Sequence, residues 1–285
     1  MKCFFLLLAF FGCLLIHSCS NDAPDESSPA VNISELSVMS FNIKNSNETG
    51  NNAWENRKTA CLAMINDVKP CLIGMQEVTP AQKNFFDTNL SDYKSLGVAR
   101  DGSSSSEYSV IYYRTDVFSV ESSSTFWLSS TPDFMSKGWD GACYRICTWA
   151  KLKIKSSGKE FYYFNTHVDH KGTEAQKQSI ILLKERIHKI AGDNAMVFLT
   201  GDFNMQPVNA NMENMAEYMK DTRVQFPNSE FHTAGTYNGW GASGSIIDYI
   251  WYRNGTPVSY KVITNAYLGV TYISDHYPIV GAFSL

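Results

Sequence analysis

The chain has 285 residues, of which 44% are hydrophobic, enough to bury the core of one large domain. Its 24 basic and 28 acidic side chains give a formal net charge of −4, so no broad positive surface attracts a polyanion. The charge argues against a general nucleic-acid-binding protein, although a bound divalent cation could still attract phosphate locally.

The N-terminal segments are expected to serve export and tethering. Lys2 precedes an apolar run at residues 4–16 that is too short to span a bilayer, which predicts a secretory signal peptide at residues 1–18. The four residues ending at Cys19 resemble a bacterial lipobox and predict lipidation of Cys19, with ordinary signal cleavage nearby as the alternative. Residues 19–34 are rich in Ser, Asn, Asp and Pro and are expected to form a flexible tether. The protein is therefore predicted to be an exported lipoprotein of the cell envelope, on the periplasmic side or the cell surface, anchored to the outer or inner membrane.

Residues 35–285 alternate short apolar runs with amphipathic stretches and show no second composition shift, as in one α/β domain. A capping box of Thr173 and Gln176 is expected to begin a long helix that ends before Gly192. Helices are predicted at residues 54–68, 81–90, 173–191 and 212–220. Strands are predicted at residues 36–43, 71–75, 108–113, 149–154, 161–165, 195–200, 246–252 and 279–283. Because strands outnumber long helices and often follow one another, we expect two packed mixed β-sheets covered by helices, an α/β sandwich, and not a doubly wound parallel sheet.

Polar motifs follow or interrupt most of these predicted strands. They are Ser40-Phe41-Asn42, Gly74-Met75-Gln76-Glu77, Asn165-Thr166-His167, Gly201-Asp202-Phe203-Asn204, Ile247-Asp248-Tyr249 and Asp275-His276. Because α/β proteins commonly bind ligands at strand ends, the motifs are expected to form one site.

Carboxylates in these motifs suit metal-assisted chemistry. Glu77 at a strand end could hold a hard divalent cation through oxygen, or could be a surface charge. Asp202 and Asn204 flank Phe203, so on an extended backbone they share one face and could orient a water and hold a phosphate. An Asx turn is the alternative for this pair.

His167 and His276 are the candidate imidazoles. Each could be a hydrogen-bonded core histidine, or a general base or phosphate-stabilising acid oriented by a carboxylate. The sequence alone does not pair them with partners. Oxygen-rich ligands favour Mg²⁺ or Mn²⁺ over zinc, which together with these side chains predicts a metal-dependent phosphoester hydrolase at residues 35–285.

The order and content of the motifs resemble the endonuclease/exonuclease/phosphatase superfamily, from about residue 38 to residue 280. The resemblance extends to a bacterial secreted subgroup of that superfamily. It implies a deoxyribonuclease-I-like, four-layered α/β sandwich. It also implies in-line hydrolysis of a phosphoester, with a phosphodiester as the expected substrate, by a water that the metal and an aspartate prepare.

The resemblance also implies roles for the residues nearest the metal. Glu77 is the principal Mg²⁺ or Mn²⁺ ligand, and Asp275 is a further carboxylate on the metal side. Asn42 helps to position both metal and substrate phosphate. Asp202 activates or orients the water, and Asn204 holds the scissile phosphate.

Further roles follow from the same resemblance. His276 contacts the phosphate, and Asp248 orients the His276 ring. His167 matches a second catalytic histidine, for which Glu107 is the expected partner. Arg145 is either a phosphate-binding residue or an ordinary surface arginine.

Two sequence features bear on specificity. His170, with Asp169, either extends the phosphate or leaving-group pocket or caps the following helix. Trp240, in an aromatic loop, either supports a base, sugar or lipid headgroup of the substrate or covers the core.

The substrate class stays open at this stage among phosphodiesters, phosphomonoesters, lipid headgroups and nucleic acid. A secreted nuclease acting on DNA or RNA is the first alternative. A catalytically inactive envelope-binding lipoprotein that keeps only the scaffold is the alternative from another class. A monomer is expected.

Overall fold

The computed structural model describes residues 31–285, in which the chain forms twelve β-strands and four α-helices. The predicted signal peptide, Cys19 and most of the tether lie outside the described residues. The helices are α1 (Trp54–Val68), α2 (Pro80–Asn89), α3 (Thr173–Ala191) and α4 (Ala210–Ala216). The strands are β1 (Glu35–Asn42), β2 (Leu72–Val78), β3 (Tyr93–Leu96), β4 (Tyr108–Arg114), β5 (Phe118–Trp127), β6 (Ile146–Ile154), β7 (Glu160–His167), β8 (Val197–Asp202), β9 (Lys220–Asp221), β10 (Asp248–Arg253), β11 (Thr256–Val262) and β12 (Ile279–Ser284).

The strands form two six-stranded mixed sheets. The first has the order β11-β12-β1-β2-β4-β3, and the second has the order β5-β6-β7-β8-β10-β9. The pairs β1–β2 and β7–β8 are parallel, while the other strand pairs are antiparallel. The predicted α/β sandwich of two packed mixed sheets is confirmed.

Three apolar clusters hold four layers together. Side chains of both sheets, including Val38, Phe161 and Phe198, pack between the sheets. The α1 and α2 helices cover the outer face of the first sheet, where Ile65 and Phe86 join its side chains. The α3 and α4 helices cover the outer face of the second sheet. The apolar stripe of each helix therefore faces its sheet and leaves the strand ends accessible.

Four strands were not predicted from the sequence: β3, β5, β9 and β11. The β5 strand contains three consecutive serines at residues 122–124 and lies at the edge of its sheet, where its middle is exposed and needs no apolar alternation. The helix predicted at residues 212–220 is shorter and ends at Ala216.

The predicted capping box of α3 is wrong. Gly172 is the N-cap residue and has no capping side chain. The carboxylate of Asp140, from a distant loop, accepts hydrogen bonds from the backbone N–H groups of Glu174 and Ala175 instead. The helix does end at Gly192, as expected. Among the helices of residues 31–285, none is both long and apolar enough to span a membrane.

Candidate active site

The strand registers bring the polar motifs to one end of the sandwich. Asn42 and Gln76 are neighbours on the parallel strands β1 and β2. In the second sheet Asp202 of β8 is paired with both His167 of β7 and Asp248 of β10. The segment before β12 carries Asp275 and His276 to the same end, because β12 runs antiparallel to β1.

These strand ends surround a cleft with a volume of about 460 Å³. The sequence-predicted residues that line it are Glu77, Glu107, Arg145, His167, His170, Asp202, Asn204, Asp275 and His276. Side chains that the sequence did not single out also line it: Lys44, Asn45 and Arg100. Tyr237, from the aromatic loop of Trp240, lines it as well. The cleft therefore combines carboxylates with several cationic groups.

Three residues of the cleft have strained backbones. Lys44 has a φ of 54°, Glu77 a φ of 60° and Asn204 a φ of 53°, values that residues other than glycine rarely adopt. The register between β2 and β4 shifts between Met75 and Val78, which marks a β-bulge at Glu77. Because the bulge breaks the strand alternation, Gln76 stays buried while Glu77 lines the cleft. Strain of this kind is concentrated at functional sites.

Asn42 lies beneath the cleft and joins two of its carboxylates. Its Nδ2 donates to Glu77 Oε1 at 3.1 Å and to Asp202 Oδ2 at 2.9 Å. Its Oδ1 accepts from the backbone N–H of Lys44. Both ends of the amide are thus used within the protein, and Asn42 does not line the cleft. In this structure Asn42 positions the carboxylates of Glu77 and Asp202, and its predicted role in positioning metal and phosphate stays a prediction.

Glu77 and Asp275, the predicted metal ligands, both line the cleft beside Lys44. Lys44 Nζ lies 3.3 Å from Asp275 Oδ2 and 4.0 Å from Glu77 Oε2, so a cation already lies close to both groups. Burial raises the pKa of Glu77, but Lys44, His276 and hydrogen bonds from Asn42 and Asn45 outweigh burial and keep the pKa low. Two carboxylates, which offer only oxygen donors, suit Mg²⁺ or Mn²⁺.

His276 is held by Asp248. Its Nδ1 lies 2.8 Å from Asp248 Oδ2, and its Nε2 lies 3.7 Å from Asp202 Oδ2. Ligand atoms of His276, Asp202 and Asp248 also lie within 4.8 Å of one another, close enough to hold a metal. Burial lowers the pKa of His276, but Asp248, Asp202 and Asp275 together raise it well above its ordinary value. Asp248 Oδ2 is already bonded to His276 Nδ1, and Asp202 Oδ2 already accepts from Asn42 Nδ2, so we assign this trio as a hydrogen-bonded acid–base group.

Asp202 is the most deeply placed carboxylate of the cleft, with 2% of its surface exposed. Burial and the charge of Asp248 raise its pKa, against the opposing effect of His276 and hydrogen bonds from Asn42 and Asn204. A carboxylate with a raised pKa is a stronger base than an exposed one.

The predicted pairing of His167 with Glu107 is wrong. His167 Nε2 lies 3.1 Å from Asn204 Nδ2 and 3.4 Å from Asp202 Oδ2. Within the described residues no hydrogen bond joins His167 to Glu107, whose carboxylate pairs with Arg100 and Asn45. Burial, followed by the charges of Arg145 and Arg100, holds the pKa of His167 well below its usual range, so the imidazole is neutral.

Asn204 lines the cleft but its amide nitrogen is already used. Nδ2 donates one hydrogen bond to His167 Nε2 and a second to the carbonyl oxygen of Val168 at 3.0 Å. As the acceptor of that amide, His167 Nε2 carries no proton, so the neutral ring is protonated on Nδ1. Asn204 thus fixes His167, and a phosphate contact by Asn204 would require one of these bonds to open.

Arg145, His170 and Asp169 form one wall of the cleft. Arg145 Nη2 lies 3.1 Å from His170 Nδ1, and Arg145 Nε lies 3.6 Å from Asp169 Oδ2. Asp169 is buried and accepts hydrogen bonds from the backbone N–H groups of Cys143, Lys171 and Gly172. Asp169 therefore stabilises the turn before α3, whereas Arg145 and His170 face the cleft.

Trp240 is not brought into the cleft lining. The guanidinium carbon of Arg57 lies 5.3 Å from the Trp240 ring centroid, so the ring packs on a buried arginine. Tyr237 of the same loop lines the cleft instead, with its ring centroid 4.9 Å from that of His276. Of the two sequence alternatives for Trp240, the structure favours the ring that packs on the protein over the ring that supports a substrate. Tyr237 belongs to the same aromatic loop in the sequence, and it is the ring that faces the cleft.

Known proteins are similar to this chain over most of its length. The family model for the Endonuclease/Exonuclease/phosphatase family matches residues 39–276. A solved endonuclease/exonuclease/phosphatase from Bacteroides vulgatus is 32% identical, with a TM-score of 0.80 over 88% of this chain and 99% of that one. A solved mannosyl-6-phosphatase from Bacteroides thetaiotaomicron is 31% identical, with a TM-score of 0.81 over 88% of this chain and 100% of that one. A protein of Acanthamoeba polyphaga mimivirus is 28% identical over 253 residues, which are 81% of this chain and 92% of the viral protein.

Proposed function

The chain belongs to the Endonuclease/Exonuclease/phosphatase family, and from that membership we propose that it is a phosphoester hydrolase that depends on Mg²⁺ or Mn²⁺. One observation carries the proposal. Three carboxylates, Glu77, Asp202 and Asp275, and two imidazoles, His167 and His276, line the same cleft. Carboxylates that can hold a hard cation, beside a buried base and an imidazolium, are the groups that phosphoester hydrolysis requires.

The proposed substrate is a small phosphorylated sugar or alcohol, in place of the phosphodiester expected from the sequence. A mannosyl-6-phosphatase is 31% identical to this chain, which favours a phosphomonoester. The cleft volume of about 460 Å³ is in the range of small-molecule sites. A net charge of −4 gives no wider attraction for a nucleic-acid strand.

In the proposed reaction a water molecule attacks phosphorus, and the bond from phosphorus to the leaving oxygen breaks. Asp202 accepts the proton of the water, a role for which its raised pKa suits it. The His276 imidazolium, oriented by Asp248, stabilises negative charge that grows on the phosphoryl oxygens. Arg145 supplies a second cationic contact from the wall of the cleft. Glu77 and Asp275 would hold a divalent cation, which would polarise a phosphoryl oxygen as a Lewis acid and stabilise the leaving oxygen.

We also propose that the domain acts at the cell envelope. The support is the apolar run at residues 4–16 followed by Cys19. Changing Cys19 to Ala is expected to release the protein from the membrane fraction, whereas unchanged membrane association would contradict lipidation.

The proposal is tested with a substrate panel. Purified protein is incubated with Mg²⁺, Mn²⁺ or EDTA and with sugar 6-phosphates, bis(p-nitrophenyl) phosphate, sphingomyelin, DNA and RNA. Glu77→Ala is the inactive variant, and Glu160→Ala is the matched control because Glu160 pairs with Lys151 outside the cleft. Metal-dependent phosphate release from a sugar phosphate, lost in Glu77→Ala alone, is the expected result. Preferred cleavage of DNA or RNA would instead make it a nuclease, and inactivity without metal binding would make it an inactive binding lipoprotein.

A further inference from the structure

A lysine lies within the candidate metal site. Lys44 Nζ is 3.3 Å from Asp275 Oδ2, 4.0 Å from Glu77 Oε2 and 3.7 Å from Glu48 Oε1. Its side chain is 24% exposed, so it lies at the border between the cleft and the protein interior. Lys44 follows Asn42 by two residues but belongs to none of the polar motifs at the strand ends.

The backbone of Lys44 is fixed independently of its side chain. Lys44 has a φ of 54°, in the left-handed region. Its N–H donates to Asn42 Oδ1, and its carbonyl oxygen accepts from Gln82 Nε2 and from Arg57 Nη2. The loop therefore keeps its shape whatever side chain projects from position 44. The ammonium group is held near the carboxylates by the path of the backbone and by charge.

The ammonium and a divalent cation would neutralise the same two carboxylates. An ammonium has no lone pair and cannot share a ligand position with a metal. The ammonium and a divalent cation, held by the same two carboxylates, would also repel each other, more strongly in a partly buried site than in water. A metal that binds Glu77 and Asp275 therefore has to displace Lys44.

We propose that Lys44 is a built-in counter-cation of this site, which neutralises Glu77 and Asp275 without metal and weakens divalent-metal binding by competing for them. The inference rests on the proposed function, because it takes Glu77 and Asp275 as the metal-holding pair. It raises the metal concentration needed for half-occupancy of the site, because the metal has to displace a charge that is already bound.

The test compares Mn²⁺ affinity by calorimetry in four forms of the full protein: wild type, Lys44→Gln, Lys44→Arg and Lys151→Gln. Lys151 is the matched control because it pairs with the Glu160 carboxylate outside the cleft. Lys44→Gln is expected to bind Mn²⁺ on the order of tenfold more tightly, because the competing charge is gone. Lys44→Arg and Lys151→Gln are expected to match wild type. Unchanged or weaker binding by Lys44→Gln would overturn the proposal.

Thermal unfolding gives a second readout that does not depend on activity. In EDTA, Lys44→Gln is expected to unfold at a lower temperature than wild type, because Glu77 and Asp275 then repel each other. At saturating Mn²⁺ the order is expected to reverse, since tighter binding stabilises the folded state more. A variant that keeps the same order in both conditions would contradict the competition.

The wild-type protein offers a test that requires no substitution at position 44. The side-chain NMR resonance of Lys44 is followed while Mg²⁺ is added. A saturating shift is expected as the ammonium leaves the carboxylates, and a resonance that stays in place while Mg²⁺ binds would overturn the proposal. Tighter metal binding by Lys44→Gln in a protein that hydrolyses no phosphoester would leave the inference standing and refute only the proposed function.

Discussion

Replacing Asp248 with Asn should add a loss of activity at alkaline pH that the wild type does not show. Asp248 Oδ2 lies 2.8 Å from His276 Nδ1, and both residues are almost fully buried. Burial alone would lower the pKa of His276, and Asp248 is the first of the carboxylates that raise it. Without that carboxylate the pKa is expected to fall towards the ordinary value of about 6.5.

The size of the effect follows from the fraction of protonated imidazole. In the wild type, His276 stays protonated across neutral pH because its pKa is raised. With a pKa of about 6.5, only about 3% of the imidazole is protonated at pH 8, but roughly three quarters at pH 6. We therefore expect kcat/KM of Asp248→Asn to fall roughly 30-fold at pH 8 and less than about twofold at pH 6.

The assay is a pH profile of kcat/KM for the best phosphoester of the panel at saturating metal. Asp221→Asn is the matched control, because Asp221 is also buried but pairs with Arg223 outside the cleft. Asp221→Asn is expected to keep the wild-type profile. Equal losses for Asp248→Asn at pH 6 and pH 8 would show that Asp248 acts only by orienting the ring. A wild-type rate at both pH values would refute the reasoning altogether.

Three further predictions concern the metal and the stability of the scaffold. Glu77→Ala is expected to remove Mn²⁺ binding and metal-dependent turnover while circular dichroism stays unchanged; a metal-responsive variant would refute its role. Asp169→Asn should cost roughly 2–3 kcal/mol of unfolding free energy at pH 7, because backbone N–H groups hold the pKa of this carboxyl well below its usual range, against burial. This stabilisation is present above the unfolded pKa of about 3.9 and is lost as pH falls below it, so urea unfolding at pH 7 and pH 3 should show the difference shrinking. Gly74→Ala should cost about 3 kcal/mol, since a Cβ there would lie 2.1 Å from Thr200 Oγ1; a wild-type urea midpoint would contradict this.

Local patterns in the sequence were sufficient to predict the layers of the fold and the position of the site. The helix predicted at residues 54–68 has those bounds in the structure, because its apolar residues recur on one face. Glu77, Asp202 and His276 were placed at strand ends from the apolar runs beside them, and the structure brings them into one cleft. Strand ends share an edge of the sandwich, so this convergence follows from topology.

Side-chain pairings that loops make could not be predicted in the same way. Glu107 pairs with Arg100, seven residues away along a loop, and not with His167. Asp140 caps the α3 helix from a loop about 35 residues earlier in the chain. Such contacts depend on how loops pack over the sheets, and one sequence carries no periodic signal for them.

Lys44 was missed for a related reason. Its positive φ departs from the strand alternation, so extrapolation from Asn42 could not predict the direction of its side chain. The placement results from the backbone bonds that Arg57 and Gln82 make with the loop, which a linear pattern does not reveal.

The most direct test of the central claim is to measure Mn²⁺ binding and phosphoester turnover on the same preparation over one range of Mn²⁺ concentrations. If Glu77 and Asp275 hold the catalytic metal, turnover should rise with the same midpoint as occupancy, and both should vanish in Glu77→Ala. Full turnover of the wild type in EDTA would contradict a metal-dependent hydrolase. Normal Mn²⁺ binding by Glu77→Ala would contradict the assignment of the metal to these carboxylates.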